Sequence, residues 1–225
     1  MAILRLDALP ASNHSTSPPV VRLDSSVRRT ARIVGVLFLA GYLAYGVGSV
    51  IATGNADSSG STALLVTGAA LMLLNSAFVI GIGVLMFPIL RPHNQAIAAG
   101  YLGTRIFEGV VLTIGVVSLI VLTGSAATDA NSVFYNIAEA GLGIGSLFFC
   151  ALLFRTRLVP RFLAVWGFIG YACFAGGNLL ELFGIAGAGL VGAIPGGLFE
   201  VTFGIWLIAR GFASTATVVR SRAST

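Results

Sequence analysis

Charged residues are scarce in this sequence: Asp, Glu, Lys and Arg make up 9% of it, against roughly 25% in soluble domains. Hydrophobic residues make up 56%, and the mean hydropathy is +0.96. A water-soluble fold of 225 residues could not cover so large an apolar fraction. The composition therefore excludes a soluble globular protein and indicates an integral membrane protein with a single domain.

Thiol and imidazole side chains are also few. Cys150 and Cys173 both lie in apolar runs, where cysteine acts as a small apolar residue, and His14 and His93 show no partner pattern. The sequence contains no phosphate-binding loop, nucleotide fingerprint, nucleophile elbow, zinc spacing or nucleic-acid module. We therefore expect no metal, no cofactor and no nucleic-acid partner.

Long apolar runs are what the sequence does contain. Six of them occupy residues 33–53, 64–87, 96–123, 133–154, 162–183 and about 189–209. Helices of this length cross about 30 Å of hydrocarbon, whereas the strands of a membrane β-barrel alternate over about 10 residues. Because the connections are short, consecutive helices form antiparallel hairpins. The sequence predicts an all-α bundle of six transmembrane helices.

The sixth run contains Pro195-Gly196-Gly197, and two interpretations of it stay open. Pro195 either begins a short helix that ends near Arg210, because proline is favoured at the first helical position, or breaks a longer helix inside the bilayer.

Polar segments flank the apolar part. Residues 1–27 combine prolines, serines and scattered charges without periodicity, which predicts a disordered cytoplasmic tail. Residues 28–212 form the six-helix membrane domain, and residues 213–225 form a second cytoplasmic tail. A cleaved secretory signal is the competing interpretation, but the first run is longer than the roughly 7–15 residues of a signal core.

Arginine is distributed asymmetrically. All 13 basic residues are arginine, and 12 of them precede the first run, lie in the second and fourth connections, or follow the sixth run. The other connections contain Asp57 and Asp129 and no arginine. By the positive-inside rule, both termini are predicted to be cytoplasmic, in the cell membrane.

Arg105 is the exception, because it lies inside the third run, three residues before Glu108. That spacing puts both side chains on one helix face, where they can pair, roughly 13–18 Å from the start of the run. A charge near mid-bilayer costs about 2.5–3.5 kcal/mol, so such residues usually face a partner or a wet cavity.

Four further polar residues lie toward the outer half. Glu139 and Glu200 are expected about 9 Å below the outer boundary, and Glu181 ends the fifth run one turn after Asn178. Because so many carboxylates accompany one arginine, at least one is expected to be protonated near neutral pH. The predicted outward-opening pocket consists of Arg105, Glu108, Glu139, Asn178, Glu181 and Glu200. For Glu200 we predict a proton-handling role, with an ionised partner of Arg105 as the alternative.

A faint repeat relates the first, third and fifth runs. In each, an arginine precedes a Gly-Tyr pair by the same distance: Arg32 and Tyr42, Arg91 and Tyr101, Arg161 and Tyr171. The chain is therefore open to interpretation as three related hairpins. Tyrosine and tryptophan positions, such as Trp166 and Trp206, fit an interfacial aromatic belt. Small residues such as Gly141, Gly143 and Gly145 let helix backbones approach closely.

Four stretches carry a family resemblance. They are Thr-Ala-Arg-Ile-Val-Gly-Val-Leu-Phe-Leu at 30–39, Arg-Ile-Phe-Glu at 105–108, Arg-Leu-Val-Pro-Arg-Phe-Leu-Ala-Val-Trp-Gly at 157–167, and the segment 194–212. In this order and spacing they resemble the bacterial membrane family catalogued as domain of unknown function 4386, over residues 28–212. The resemblance implies a six-helix membrane protein and carries over no catalytic residue.

Three functions are compatible with these features. The first is binding or transport of a small solute, with a carboxylate taking up a proton. The second is an intramembrane enzyme in which a protonated glutamate acts as general acid on a lipid or isoprenoid. The third is a non-catalytic membrane subunit whose ions clamp helices together. The expected partners are the lipid bilayer and a small-molecule or lipid ligand, and a homo-oligomer is compatible with the sequence.

The arginine asymmetry generates a test of topology. Reporter domains fused after Thr225 and inserted at residues 57–60 should report the cytoplasm and the exterior, respectively. An exterior C-terminus would contradict the predicted orientation.

Overall fold

A computed structural model describes residues 25–57 and 59–213, which contain six helices and no strand. The helices are α1 (Ser25–Thr53), α2 (Thr62–Leu90), α3 (Gln95–Val121), α4 (Ser125–Thr156), α5 (Arg161–Leu182) and α6 (Ala188–Ala209). All six are long and apolar enough to cross a membrane. The prediction of an all-α six-helix bundle is confirmed. Most of the two predicted tails, residues 1–24 and 214–225, lies outside the described residues.

Local signals explain where the helices begin and end. Ser61 and Asn94 cap α2 and α3, and each side-chain oxygen accepts a hydrogen bond from the backbone N–H three residues later, at 3.4 and 3.0 Å. Helix α4 ends where Arg157 adopts the left-handed conformation with φ 56°, and Pro160 precedes α5. These signals keep the connections short, so that neighbouring helices pack antiparallel.

The helices form a ring in chain order. Each packs against its neighbours in sequence, and α1 packs against α6 to close the ring. One end of the ring, here called the arginine-rich end, holds the start of α1, the end of α6 and two connections. Its arginines are Arg28, Arg29, Arg32, Arg91, Arg155, Arg157, Arg161 and Arg210. The other end, here called the opposite end, holds the α1–α2, α3–α4 and α5–α6 connections.

The two halves of the ring are filled differently. A large apolar cluster fills the arginine-rich half, and every helix contributes to it: Phe38, Ile82, Tyr101, Phe149, Tyr171 and Phe203 are members. A smaller cluster that includes Ala52, Met72 and Val116 joins the first helices at the opposite end. Members of the large cluster, among them Phe38 and Ile82, also line the site described below.

Helix α6 differs from both predicted alternatives. It runs from Ala188 through Pro195 to Ala209, so Pro195 neither begins a helix nor breaks one. The start is fixed by Gly187, which is left-handed at φ 80°, and by the Glu181 carboxylate, which accepts a hydrogen bond from the Gly189 N–H at 2.9 Å. This cap comes from eight residues upstream, and it allows a 22-residue helix that can span a membrane.

Glu139 and Glu200 lie well inside their helices. Glu200 lies twelve residues after Ala188, about 18 Å along α6, and Glu139 lies fourteen residues after Ser125, about 21 Å along α4. Both carboxylates are therefore near the middle of their helices, and their depth below the membrane boundary stays a prediction.

Gly143 marks a close approach between α4 and α5. A Cβ at this position would lie 2.6 Å from both the Ala175 nitrogen and the Tyr171 carbonyl oxygen, which are backbone atoms. Gly141 and Gly145 face the side chains of Phe107 and Thr104 on α3 instead. Of these three glycines, Gly143 is the one that lets two backbones touch.

We predict that Gly143→Ala lowers the stability of the bundle by about 1–3 kcal/mol, because backbone atoms cannot move aside as a side chain can. Gly176→Ala in α5 is the control, since a Cβ there has no neighbour within 4 Å and alanine favours a helix over glycine. Thermal unfolding in detergent measures both variants. A Gly143→Ala protein as stable as the control would contradict the close packing.

Candidate functional site

Arg105 lies at the centre of a buried polar network although its side chain is 1% exposed. Its Nε donates a hydrogen bond to the Tyr101 hydroxyl at 3.0 Å, and its Nη1 donates to Glu108 Oε2 at 2.9 Å. Residues 101, 105 and 108 lie on one face of α3, because residues three or four apart are neighbours on a helix surface. The predicted pair of Arg105 and Glu108 is present in the structure as a short ion pair.

The other amino group of Arg105 reaches two further helices. Its Nη2 donates to Glu200 Oε1 on α6 at 3.0 Å and to the Tyr171 hydroxyl on α5 at 3.2 Å. Tyr171 in turn donates to the same Glu200 oxygen at 2.6 Å. One carboxylate oxygen of Glu200 thus accepts two hydrogen bonds, one of them from a cation, and such contacts are characteristic of an ionised carboxylate. These contacts fit the alternative role of Glu200, that of the ionised partner of Arg105.

Aromatic rings and a glycine fit closely around the guanidinium. The Arg105 Cζ atom lies 5.1 Å from the centre of the Phe38 ring and 5.4 Å from that of Tyr101. Gly83 on α2 makes room for the stem, because a Cβ there would lie 2.8 Å from the Arg105 Cβ. The cation is thus held by charge, hydrogen bonds and ring faces together.

A connected stack of rings lies on the arginine-rich side of the network. Tyr101 stacks on Phe149 with ring centres 4.2 Å apart, and Phe149 meets Phe203 edge-on at 6.0 Å. Phe203 stacks on Phe199 at 5.4 Å, and Phe199 meets Tyr171 at 5.5 Å. We call these five aromatic side chains the aromatic floor. They fill the interior of the bundle below Arg105, that is, toward the arginine-rich end.

A cavity of about 700 Å³ lies above the aromatic floor, that is, toward the opposite end of the bundle. Arg105, Glu108 and Glu200 line its deep end, and Thr53 and Asp129, which are exposed residues of the opposite end, line its mouth. The volume is in the range of sites that hold small organic molecules. The predicted polar pocket therefore corresponds to a real space that reaches the opposite end of the bundle.

Glu139 on α4 lines the same cavity, and its surroundings differ from those of the other two glutamates. Its side chain is buried, with 8% exposed, yet it makes no hydrogen bond or ion pair with the described residues. Buried carboxylates are normally paired. Glu139 is thus a carboxyl group whose polar atoms are left to whatever fills the cavity.

The structure places two of the predicted site residues elsewhere. Asn178 is buried behind the cavity wall, where its Nδ2 donates to the Phe174 carbonyl at 2.8 Å and its Oδ1 has no partner among the described residues. Glu181 caps α6 and is half-buried. Glu181 thus holds the start of α6, Asn178 bonds within α5, and neither residue lines the cavity. Four of the six predicted residues are brought together: Arg105, Glu108, Glu139 and Glu200.

The tyrosines are the main residues that the pocket prediction missed. Tyr42, Tyr45 and Tyr135 line the cavity, and Tyr101 and Tyr171 bind Arg105, so all five tyrosines belong to the site and not to an interfacial belt. The Gly-Tyr repeat was a signal that could have found three of the five. Its three tyrosines occupy equivalent positions on α1, α3 and α5, and all three converge on this site.

Fold and site together define a multi-pass membrane protein with a buried arginine–glutamate network beneath an interior cavity. A family model described as "Domain of unknown function (DUF4386)" matches residues 33–211, and the chain belongs to this family, as the resemblance indicated. Comparison with curated proteins and with solved structures gives no significant match.

We predict that Arg105→Leu destabilises the bundle by about 3–5 kcal/mol, the usual effect of removing one partner of a buried ion pair. Adding Glu108→Gln and Glu200→Gln to this variant should recover much of the loss, because no unpaired charge then remains. Melting temperatures in detergent test both expectations. Equal melting temperatures for wild type and Arg105→Leu would contradict the role of the network in holding the helices together.

Proposed function

We propose that the protein binds a small solute in the cavity and that Glu139 exchanges a proton as the solute enters and leaves. The observation that carries this proposal is a buried carboxyl group without a protein partner, facing a cavity of about 700 Å³. We further propose that the arginine-rich end is cytoplasmic, so that the cavity opens to the exterior of the cell membrane.

The cavity supports solute binding over a purely structural role for the ions. A clamp of Arg105, Glu108 and Glu200 needs no empty space beside it, and it makes no use of Glu139. Open volume inside a bundle also forgoes packing contacts that would stabilise the fold. A bundle that keeps both the space and the unpaired carboxyl group is better explained by a ligand.

We assign the proton exchange to Glu139 because of the ionisable groups that line the cavity with it. Arg105 and Glu108 come from α3, Tyr42 and Tyr45 from α1, Tyr135 from α4, and Glu200 from α6. The single cation among them already binds two carboxylates. Glu139 therefore has no charge partner among the described residues, so a proton or a ligand must supply one.

An intramembrane enzyme is the second candidate, and the aromatic wall of the cavity favours it. Rings of Phe38, Phe174 and the three cavity tyrosines would suit an apolar substrate, and Glu139 would act as general acid. The exposed polar mouth at Thr53 and Asp129 suits a solute that arrives from water better than a lipid that arrives from the bilayer.

Water access to the cavity can be tested with a cysteine at Gly46. This residue lines the cavity about 10 Å from the end of α1, and a Cβ there meets no atom within 4 Å. In a background with Cys150→Ala and Cys173→Ala, Gly46→Cys should react with a membrane-impermeant maleimide added outside intact cells. Reaction needs a hydrated thiolate, which the cavity allows.

Val47→Cys is the matched control. Val47 lies at the same depth, is 50% exposed and is not part of the cavity wall, so lipid should protect it. Labelling of neither thiol from either side of the membrane would overturn the proposal. Labelling of Gly46→Cys only in inverted vesicles would overturn the orientation and leave the cavity in place.

A further inference from the structure

Resting on the proposed function, we infer that the solute is an organic cation: an amine or a quaternary ammonium compound with small apolar groups. The inference follows from the charge of the cavity wall, from the rings beside Glu139, and from the position of the one competing cation.

The charged residues of the cavity wall are mostly acidic. Glu108, Asp129, Glu139 and Glu200 line the cavity, and Arg105 is the one basic residue among them. Its guanidinium is occupied by Glu108 and Glu200, which leaves Glu139 and Asp129 unneutralised. A wall of this composition repels anions and attracts a positive charge.

The rings beside Glu139 suit an organic cation. Tyr45 and Tyr135 stack with their centres 5.4 Å apart, and both line the cavity, as does Tyr42. Ring faces attract cations that lack a tight hydration shell, and aromatic cages recognise alkylammonium groups in this way. The three tyrosine rings thus offer an electron-rich apolar wall to the ligand, while the Glu139 carboxylate neutralises its charge.

A metal ion fits this site poorly. Divalent cations need several oxygen, nitrogen or sulfur ligands at close range. Within residues 25–57 and 59–213, no group of three or more His, Cys, Asp or Glu side chains is arranged to hold one. The cavity is also far larger than a bare ion requires, at about 700 Å³.

Arg105 determines where in the cavity the cation binds. Its guanidinium lies at the deep end, above the aromatic floor, and it repels a second positive charge. A cationic group is therefore expected nearer the mouth than Arg105, between Glu139 and the Tyr45–Tyr135 pair. The apolar part of the ligand then lies against Phe38 and Phe174, which line the same cavity.

Binding of the cation is coupled to the loss of a proton from Glu139. When Glu139 is protonated, the arriving cation displaces the proton, which leaves through the mouth to water, and the resulting carboxylate pairs with the ligand. Charge at Glu139 is balanced before and after the step. Binding should therefore release a proton and should become tighter as the pH rises.

The experiment uses benzyltrimethylammonium with the purified full-length protein in detergent, and it follows ligand-induced melting shifts and calorimetric binding. Benzyl alcohol and phenylacetate are neutral and anionic probes with the same ring. We expect the cation alone to bind and to release close to one proton in weak buffer, detected with a pH indicator. Glu139→Gln should weaken binding about thirtyfold or more and abolish the release.

Two further variants keep the test sharp. Tyr45→Leu keeps the carboxylate and removes one ring, and it should weaken binding about five- to thirtyfold while leaving proton release intact. Asp57→Asn removes an exposed acidic residue of the opposite end that does not line the cavity, and it should leave binding unchanged.

The outcomes separate this inference from the proposed function. Cation binding that survives Glu139→Gln and Tyr45→Leu unchanged would overturn the inference, as would binding of phenylacetate or benzyl alcohol in place of the cation. If Gly46→Cys is labelled while the cation does not bind, the solute cavity stands and the cationic ligand is wrong. If that thiol is not labelled and no probe binds, both fail.

Discussion

A single guanidinium inside the bilayer-spanning region is the constraint on which the rest of this molecule depends. Arg105 is fully charged at any relevant pH, and its cost in hydrocarbon is large unless its donors are directed at acceptors. The structure meets that cost with groups from three helices: Glu108 and Tyr101 on α3, Tyr171 on α5 and Glu200 on α6. These contacts tie α3 to α5 and α6.

The same constraint explains why the bundle is solid in one half and hollow in the other. Below Arg105, rings and aliphatic side chains from every helix pack together, and the hydroxyls of Tyr101 and Tyr171 have their partners in the network. Above it, polar residues of α1, α4 and α6 line open space. Hydrophobic packing holds the ring together in the arginine-rich half, and the polar wall lies toward the opposite end.

Much of this architecture could be predicted because local sequence patterns determine it. Six uninterrupted apolar runs specify six helices, and the spacing of Arg105 and Glu108 puts them on one face of α3. The start of α6 could not be predicted in this way, because its cap is the Glu181 side chain from the preceding helix. Glu200 meets Arg105 across 95 residues of chain, and nothing in the local sequence fixes that rotation.

The tyrosines show a different limit. In a membrane sequence, tyrosine fits the water interface equally well, and only its partner decides between interface and interior. Tyr171 is interior because Arg105 and Glu200 both need its hydroxyl. The spacing of the repeated Gly-Tyr pair indicated that three tyrosines occupy equivalent positions. The repeat gives the position of each tyrosine on its own helix and says nothing about how the three helices pack together. Their convergence on one point depends on how the ring closes, which is a property of the whole chain.

The aromatic floor bears on how the proposed solute could move. Its five rings, from Tyr101 to Tyr171, lie between the cavity and the arginine-rich end, and a fixed positive charge lies beside them. On the proposed function, a solute that enters from the opposite end in this conformation would leave by the same route. Passage to the other side would require the α6 rings Phe199 and Phe203 to separate from their neighbours. Because Glu200 lies on the same helix, such a movement would also disturb its hydrogen bond with Arg105.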